Sequence, residues 1–352
     1  MTDKRIIQKV LPQVRQIEMM AVCQDGVTNQ VMAKEPNIRT LRLTMEDGSQ
    51  KSVVLKKKSA SIILKGSRML SGGSLPMLAD ILLHHKVFGY CDSYLRESCF
   101  YDHFDSRFSR HMLHCYGSVV RAWKQESWLC LEKFSGAALD GMQDFRQLLG
   151  LMADIHAYYF CNSSKLKKLR VNRYSVKDYR SNKKTLRRLF DRLDPGGLGA
   201  YTDTIACFID RMDEAFAGHQ KIMTLTHNDL SERNIVKCDE IRIYDWELAC
   251  VQNPEHDLAE FLVSAADRLK DHELLELIGY FRNRLYGSIG VEVEDEEFRD
   301  ILRYNLMEYA ANKLTLLRTA ERYMHIGFTD GYCRNLQRLL HLTETAAFNT
   351  KG

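Results

Sequence analysis

No apolar run in the sequence approaches the ~20 residues that a helix needs to cross a bilayer. Its first residues, Met1-Thr2-Asp3-Lys4-Arg5, open a polar amphipathic segment without the apolar core of a signal peptide. A membrane span and a secretory leader are therefore not expected, and the compartment read from this is the cytoplasm. Paired cysteines are also missing: ten occur singly, at positions such as Cys23, Cys91, Cys130, Cys207 and Cys333, with no C-x-x-C. Reduced thiols in a reducing compartment account for them. Net charge is small, with 50 Lys and Arg against 46 Asp and Glu, or +4, so any charged surface has to be sought segment by segment. What is present is length and apolar content. At 352 residues and 45% hydrophobic, the chain can bury a large core and is expected to divide into two lobes.

The most informative stretch is His227-Asn228-Asp229-Leu230-Ser231-Glu232-Arg233-Asn234-Ile235-Val236, followed eleven residues after Asn234 by Asp245 in Ile243-Tyr244-Asp245-Trp246-Glu247. Leu225 and Thr226 lead into a polar loop. The apolar runs Ile235-Val236 and Ile241 to Tyr244 flank the turn Lys237-Cys238-Asp239-Glu240 and read as a short hairpin. Such a hairpin carries Asn234 and Asp245 to one edge. Phosphoryl transfer requires a group near the acceptor hydroxyl and oxygen ligands for the metal that neutralises the phosphates. Asp229 can serve the hydroxyl, and Asn234 with Asp245 can hold Mg2+.

HNDLSERN fits H-x-D-x-x-x-x-N and resembles the catalytic loop of the aminoglycoside phosphotransferase and choline kinase-like group, small-molecule kinases with a protein-kinase-like fold. Asp245-Trp246-Glu247 stands where protein kinases have D-F-G. Pro254-Glu255-His256-Asp257-Leu258-Ala259 is similar to the P-x-x-D-L-A that ends this region in the group. The resemblance implies an α+β bilobal fold, with a small antiparallel-sheet lobe at 1–132 that binds nucleotide and a larger helical lobe at 133–352 that holds the catalytic loop and the acceptor. It implies ATP, with GTP as an alternative, as donor, Mg2+ as cofactor, and a hydroxyl of a small molecule as acceptor. His227 is placed in the catalytic loop as a support beneath Asp229, and Asp257 as a brace.

Further parts follow the same order. Ile17 to Val22 and Val31 to Lys34 flank Asp25-Gly26-Val27-Thr28-Asn29, where Gly26, Thr28 and Asn29 resemble a phosphate-covering loop whose first Gly is here Asp25. Thr40 to Met45 and Ser52 to Lys58 flank an Asp47-Gly48 turn and read as a hairpin. Val53-Val54-Leu55-Lys56 resembles V-A-I-K, which makes Lys56 the phosphate-gripping lysine. Alternation puts Lys58 on the same face as a reserve and Lys57 on the other. Arg96-Glu97-Ser98-Cys99-Phe100-Tyr101 is similar to R-E-x-x-F-Y, with Glu97 as partner of Lys56. The interval between them is longer than usual, and residues 59–90 read as an insertion containing an extra helix from Met77 to Val87. Ser127 to Glu132 reads as the last strand before the interlobe hinge, with backbone groups of Glu132 to Phe134 facing adenine. His156, on a helix over 145–159, reads as a structural hydrogen-bonder. The group Cys99, His103, His111, His114 and Cys115 has no zinc-ligand spacing.

Two charge clusters conflict. Residues 165–192 hold twelve Lys or Arg and two acids, Asp178 and Asp191. Facing the cleft, they would favour an anionic acceptor or a nucleic-acid partner. A solvated amphipathic helix that carries its lysines outward is the plainer explanation. Glu292, Glu294, Asp295, Glu296, Glu297 and Asp300 form an acidic run at the expected start of a long helix over 296–325, where they offset its dipole or, facing the cleft, would favour a cationic acceptor. A protein kinase is disfavoured, since no A-P-E follows Asp245 and the interval to Asp257 is short. A nucleotide-binding pseudokinase or regulator is the alternative from another class.

Overall fold

A computed structural model of the chain describes residues 3–22, 37–83, 92–193, 195–324, 327 and 329–346. The Gly26, Thr28 and Asn29 loop and the strand expected at Val31 to Lys34 lie outside these residues. The fold is mixed α and β, with a five-stranded antiparallel sheet in the N-terminal part and helices dominating the rest.

The sheet is formed by β1 (Val14–Val22), β2 (Ile38–Met45), β3 (Gln50–Ser59), β4 (Cys115–Arg121) and β5 (Glu126–Glu132), in the order β1-β2-β3-β5-β4. Period-two patterning gives it two unlike faces. Leu41, Leu43, Val53 and Leu55 bury one face beneath Ile6 and Ile7 of α1 (Asp3–Val10). Val54 and Leu131, paired in register, belong with Leu129 and Leu113 to a separate apolar cluster. Lys56 lies on the same side of β3 as Val54, facing α2 (Ser93–His103). Gly48 takes φ +82° in the β2–β3 turn, a conformation a side chain would strain.

The segment between β3 and α2 departs from expectation. It holds two helices, α3 (Ala60–Leu70) and α4 (Leu75–Leu83), rather than one. Of the helix expected at Met77 to Val87, residues past Leu83 lie outside the described set. Leu70, Met77 and Ile81 join the core of the helical part, and Asp80 pairs with Arg188 at 2.6 Å. The insertion is thus docked on the C-terminal part of the chain.

That part is built around α5 (Gly141–Cys161) and α6 (Glu255–Ala265), whose apolar residues are almost wholly buried. α7 (Val176–Asp191) packs on α8 (Thr202–Gly218), and α9 (Asp271–Ile289) packs on α5. The expected long helix exists as α10 (Asp295–Tyr309), a π turn at Ala310–Leu314, and α11 (Thr315–Met324), followed by α12 (Thr329–Thr345). Between β6 (Thr224–Thr226) and β7 (Ile235–Lys237) runs the loop 227–234, and β7 pairs with β8 (Ile241–Ile243) as the expected hairpin, Ile235 opposite Ile243. Gly136, where the chain leaves β5, passes so close to this hairpin that a Cβ would lie 2.5 Å from the Lys237 carbonyl oxygen. No helix among the described residues is long and apolar enough to cross a membrane.

Candidate active site

β3 and α2 deliver opposite charges to one point. The Lys56 ammonium is 2.6 Å from Glu97 Oε2 and 2.6 Å from Asp245 Oδ1, and 3.9 Å from Glu247 Oε2. Both Lys56 and Glu97 are buried. Burial disfavours the charged form of Lys56, but Asp245, Glu97 and Glu247 outweigh it and hold the ammonium protonated well above its usual range. Burial pushes the Glu97 carboxyl up to about 7, against the pull of Lys56. Lys58, on the same face as Lys56, pairs with Glu247. Lys57 points the other way, toward Glu126 and the Trp128 ring.

Asp245 takes a left-handed conformation, φ 66° and ψ 52°, which Asp tolerates better than most side chains. The turn sends successive residues in opposite directions. The Asp245 carboxylate goes up to Lys56, while the Trp246 ring goes down into the core, stacked on Phe100 with centroids 4.3 Å apart. Such a pair is worth ~0.5–1.5 kcal/mol beyond its area. Arg96, buried beside Glu97, donates to the Glu247 carbonyl oxygen. Carboxylate oxygens of Glu97, Asp245 and Glu247 lie within 4.8 Å of one another. This is an oxygen-rich set of the kind that suits a hard divalent cation. Glu247 was not singled out in the sequence as a site residue. Its place two residues after Asp245 in D-W-E was the available signal.

Asp229 is held at both oxygens. Asn234 Nδ2 donates to Oδ2 and to the Asp229 main-chain oxygen, each at 2.8 Å. Arg233 and Lys313 reach Oδ1 at 3.1 and 2.6 Å. With both amide hydrogens of Asn234 so used, its oxygen is the atom left for a metal. Burial opposes ionisation of Asp229, yet Lys313 and Arg233 hold its carboxyl well below the usual range. Burial and the nearby Asp229 oppose ionisation of Asp245, yet Lys56 and Lys58 hold its carboxyl below the usual range.

The loop is fixed from beneath. Asp257, near the start of α6, accepts from the backbone N–H groups of His227 and Asn228 at 2.8 and 3.0 Å. Glu260, one turn on, accepts from Leu230 N–H at 2.8 Å. His227 is wholly buried, its Nε2 2.9 Å from the Tyr244 carbonyl oxygen, and burial lowers its pKa. The ring is therefore neutral, donates to Tyr244, and ties the loop to the strand that carries Asp245. His156 is likewise buried, 2.8 Å from the Leu225 carbonyl oxygen, with its pKa lowered by burial to about 4.

At the end of β5, the Glu132 and Lys133 N–H groups already donate to His114 and Ser52 carbonyl oxygens at 2.8 and 3.3 Å. The Glu132 side chain pairs with Arg242. Two amides of the stretch expected to face adenine, those of Glu132 and Lys133, are thus engaged within the protein. The Phe134 ring lies 5.0 Å from that of Tyr244.

Both charge clusters have local partners. On α7, Arg180 and Lys183 each meet Asp213 at 2.9 Å, Arg187 meets Asp210 at 2.6 Å, and Arg188 meets Asp80. Its other face buries Tyr179, Leu186, Leu189 and Phe190. The acidic run opens α10, where Asp295 pairs with Arg282 and Glu297 with Lys221. Lys313, eighteen residues along the same helix from Asp295, touches Asp229. Asp300, the acid of the run nearest to Lys313, is thirteen residues before it, or about 20 Å along the helix at 1.5 Å rise per residue. The run does not line the cleft at Asp229.

No family model and no curated protein matches the sequence. Solved structures do match the fold. A choline kinase from Cryptosporidium parvum Iowa II superposes with a TM-score of 0.53 at 12% identity, covering 96% of this chain and 94% of that one. Spectinomycin phosphotransferase, solved in complex with ADP and spectinomycin, gives 0.50 at 15% identity and covers 94% of each chain. The macrolide 2'-phosphotransferase MphH from Brachybacterium faecium gives 0.50 at 11% identity, covering 96% of this chain and 98% of that one. The chain has the protein-kinase-like fold shared by these small-molecule kinases.

Proposed function

We propose that this chain transfers the γ-phosphate of ATP to a hydroxyl of a small molecule. The observation that carries the reading is the meeting of Lys56, Glu97 and Asp245 within ion-pair distance, beside an Asp229 bonded to Asn234. A charged lysine, two oxygen ligands and a carboxylate for the hydroxyl are what in-line phosphoryl transfer needs. The similar folds, among them a phosphotransferase solved with ADP and a choline kinase, support the same class of reaction.

In this reading residues 1–132 form the nucleotide-binding lobe and 133–352 the catalytic and acceptor-binding lobe. Lys56, oriented by Glu97, meets the donor phosphates, and the Glu132 to Phe134 backbone meets adenine through its remaining groups. Asn234 Oδ1 and the Asp245 carboxylate would hold Mg2+, with the Glu247 carboxylate close enough to that of Asp245 to join. When bound, the ion supplies charge neutralisation on the phosphates. Asp229 accepts a hydrogen bond from the acceptor hydroxyl and orients it for attack. With Lys313 and Arg233 beside it, Asp229 is a weak base, so orientation contributes more than early proton removal. His227 supports the loop without touching the reactants. Gly26, Thr28 and Asn29 are assigned to the phosphates by their place in the sequence. A nucleotide donor and unpaired cysteines suit the cytoplasm.

The test is Mg2+-dependent ADP release from ATP and from GTP against choline-like amines, amino sugars, nucleosides and sugar phosphates, with D229N as control. Acceptor-stimulated release by the intact protein alone supports the reading. Nucleotide binding without release in any group would favour the regulator.

A further inference from the structure

Lys313 reaches Asp229 from the C-terminal helix pair, and an irregularity in that helix places it. α10 is regular to Tyr309, widens into the π turn at Ala310–Leu314, and resumes as α11. A π turn inserts one residue into an α-helix, is rare, and concentrates at functional sites. Thr315 closes this one, its backbone N–H and its hydroxyl both donating to the Ala310 carbonyl oxygen, the hydroxyl at 2.9 Å. Each residue turns an α-helix by about 100°. Without the extra residue, Lys313 and the loop could not keep their present alignment while both ends of the helix stayed packed.

The partners of Lys313 define its work. Its ammonium meets Asp229 Oδ1 at 2.6 Å, Asn228 O at 2.8 Å and Glu260 Oε1 at 3.0 Å. An ammonium has three donors, so all are engaged within the protein. This separates Lys313 from a cation that waits for an anionic ligand. Two of the contacts are to consecutive residues of the catalytic loop and the third is to α6, which also holds Leu230 and, through Asp257, His227. The left-handed Asn228, φ 59°, is where the loop turns to present Asp229. Lys313 bonds the carbonyl of that turn and the carboxylate that follows it.

We infer that Lys313 is the positioning residue for Asp229, seated by the π turn so that the carboxylate faces the acceptor hydroxyl. The inference rests on the phosphotransfer reading above. It is tested with K313M and with the K313M/E260Q double variant, which removes the buried Glu260 charge that K313M deprives of its ammonium, with E260Q alone as the reference for that residue's own hold on Leu230. Mg2+-dependent ADP formation, AMP-PNP affinity and thermal unfolding are measured on the full chain. Misplacement by 1 Å can cost on the order of 100-fold in rate, so kcat is expected to fall about that far. KM for ATP and AMP-PNP affinity should stay within about twofold. The double variant should regain melting temperature without regaining kcat, and ethylammonium added to K313A should restore part of the turnover. Turnover in K313M within about twofold of the intact protein, or turnover that returns with stability in the double variant, overturns the inference alone. An intact protein that forms no ADP would refute the phosphotransfer reading and the inference with it.

Discussion

Replacing Lys56 by methionine removes the ammonium held 2.6 Å from both Glu97 and Asp245 while keeping most of the side-chain volume. What remains are three carboxylates, Glu97, Asp245 and Glu247, with oxygens within 4.8 Å of one another and only Lys58, paired with Glu247, as a nearby cation on β3. Two unit charges at that separation repel by about 3.5 kcal/mol at an effective dielectric constant of ~20. Breaking a buried ion pair on one side typically costs roughly 3–5 kcal/mol, and the two figures agree. K56M is therefore expected to lose about that much stability near pH 8, read from urea unfolding followed by circular dichroism.

The loss should depend on pH in a defined direction. Burial already raises the Glu97 carboxyl to about 7, and removing the pull of Lys56 raises it further. A carboxyl whose folded pKa exceeds its unfolded one contributes stability that is fully present below the unfolded value and is lost as pH rises through the folded one. The K56M deficit should therefore be smaller near pH 6 than near pH 8, changing by at most about 1.4 kcal/mol per pH unit for one group. Adding E97Q removes the buried charge and should recover most of the loss. A deficit under about 1 kcal/mol, the worth of an exposed pair, would refute the reasoning. So would a deficit that shrinks as pH rises, or no recovery with E97Q.

Other consequences can be measured separately. D229N keeps the bonding shape of the loop residue but not its charge, so turnover should fall by at least ~100-fold while AMP-PNP affinity measured by calorimetry changes little. D245N should lose the Mg2+ dependence of nucleotide binding, seen as coincident binding curves with and without the ion. In the intact protein, burial also pushes Glu255 and Asp257 up to about 7. Both are raised, so their contribution is present below their unfolded values and is lost as pH climbs through about 7. The melting temperature should fall between about pH 5 and about pH 8, and a rise over that window would contradict the assignment.

How much of this was legible in the sequence depended on the range of the interaction concerned. The loop 227–234, the hairpin and Asp245 are local, and alternation along β3 put Lys56 and Lys58 on one face before any partner was known. Glu97 followed from chain order and its R-E-x-x-F-Y context. α3 was missed because it starts directly on β3, with no side-chain cap from Ser59, and its run Ile62-Ile63-Leu64 suits strand and helix equally. The two charge clusters could not be placed from composition. The length of α10 and the pairing of α7 with α8 and α4 placed them. Lys313 lies 84 residues after Asp229, and its approach depends on a helical irregularity with no pattern in single-sequence periodicity.

The contacts of α2 explain why the site should assemble as a unit rather than residue by residue. Along this helix, Arg96 bonds the Glu247 carbonyl, Glu97 holds Lys56, and Phe100 stacks on Trp246. Arg96, Glu97 and Phe100 are all buried. They fall at i, i+1 and i+4, so the helix grips the 245–247 turn by an apolar contact one turn from two polar ones. A shift of α2 large enough to break one would strain all three, since packed interfaces tend to be bistable rather than continuously deformable. Substitutions at Arg96, Glu97 and Phe100 should accordingly be non-additive, as expected for residues sharing one network. The insertion formed by α3 and α4 precedes α2 in the chain and is docked on α7. Because α3 continues directly from β3 at Ala60, the insertion ties the helical core to the strand that carries Lys56.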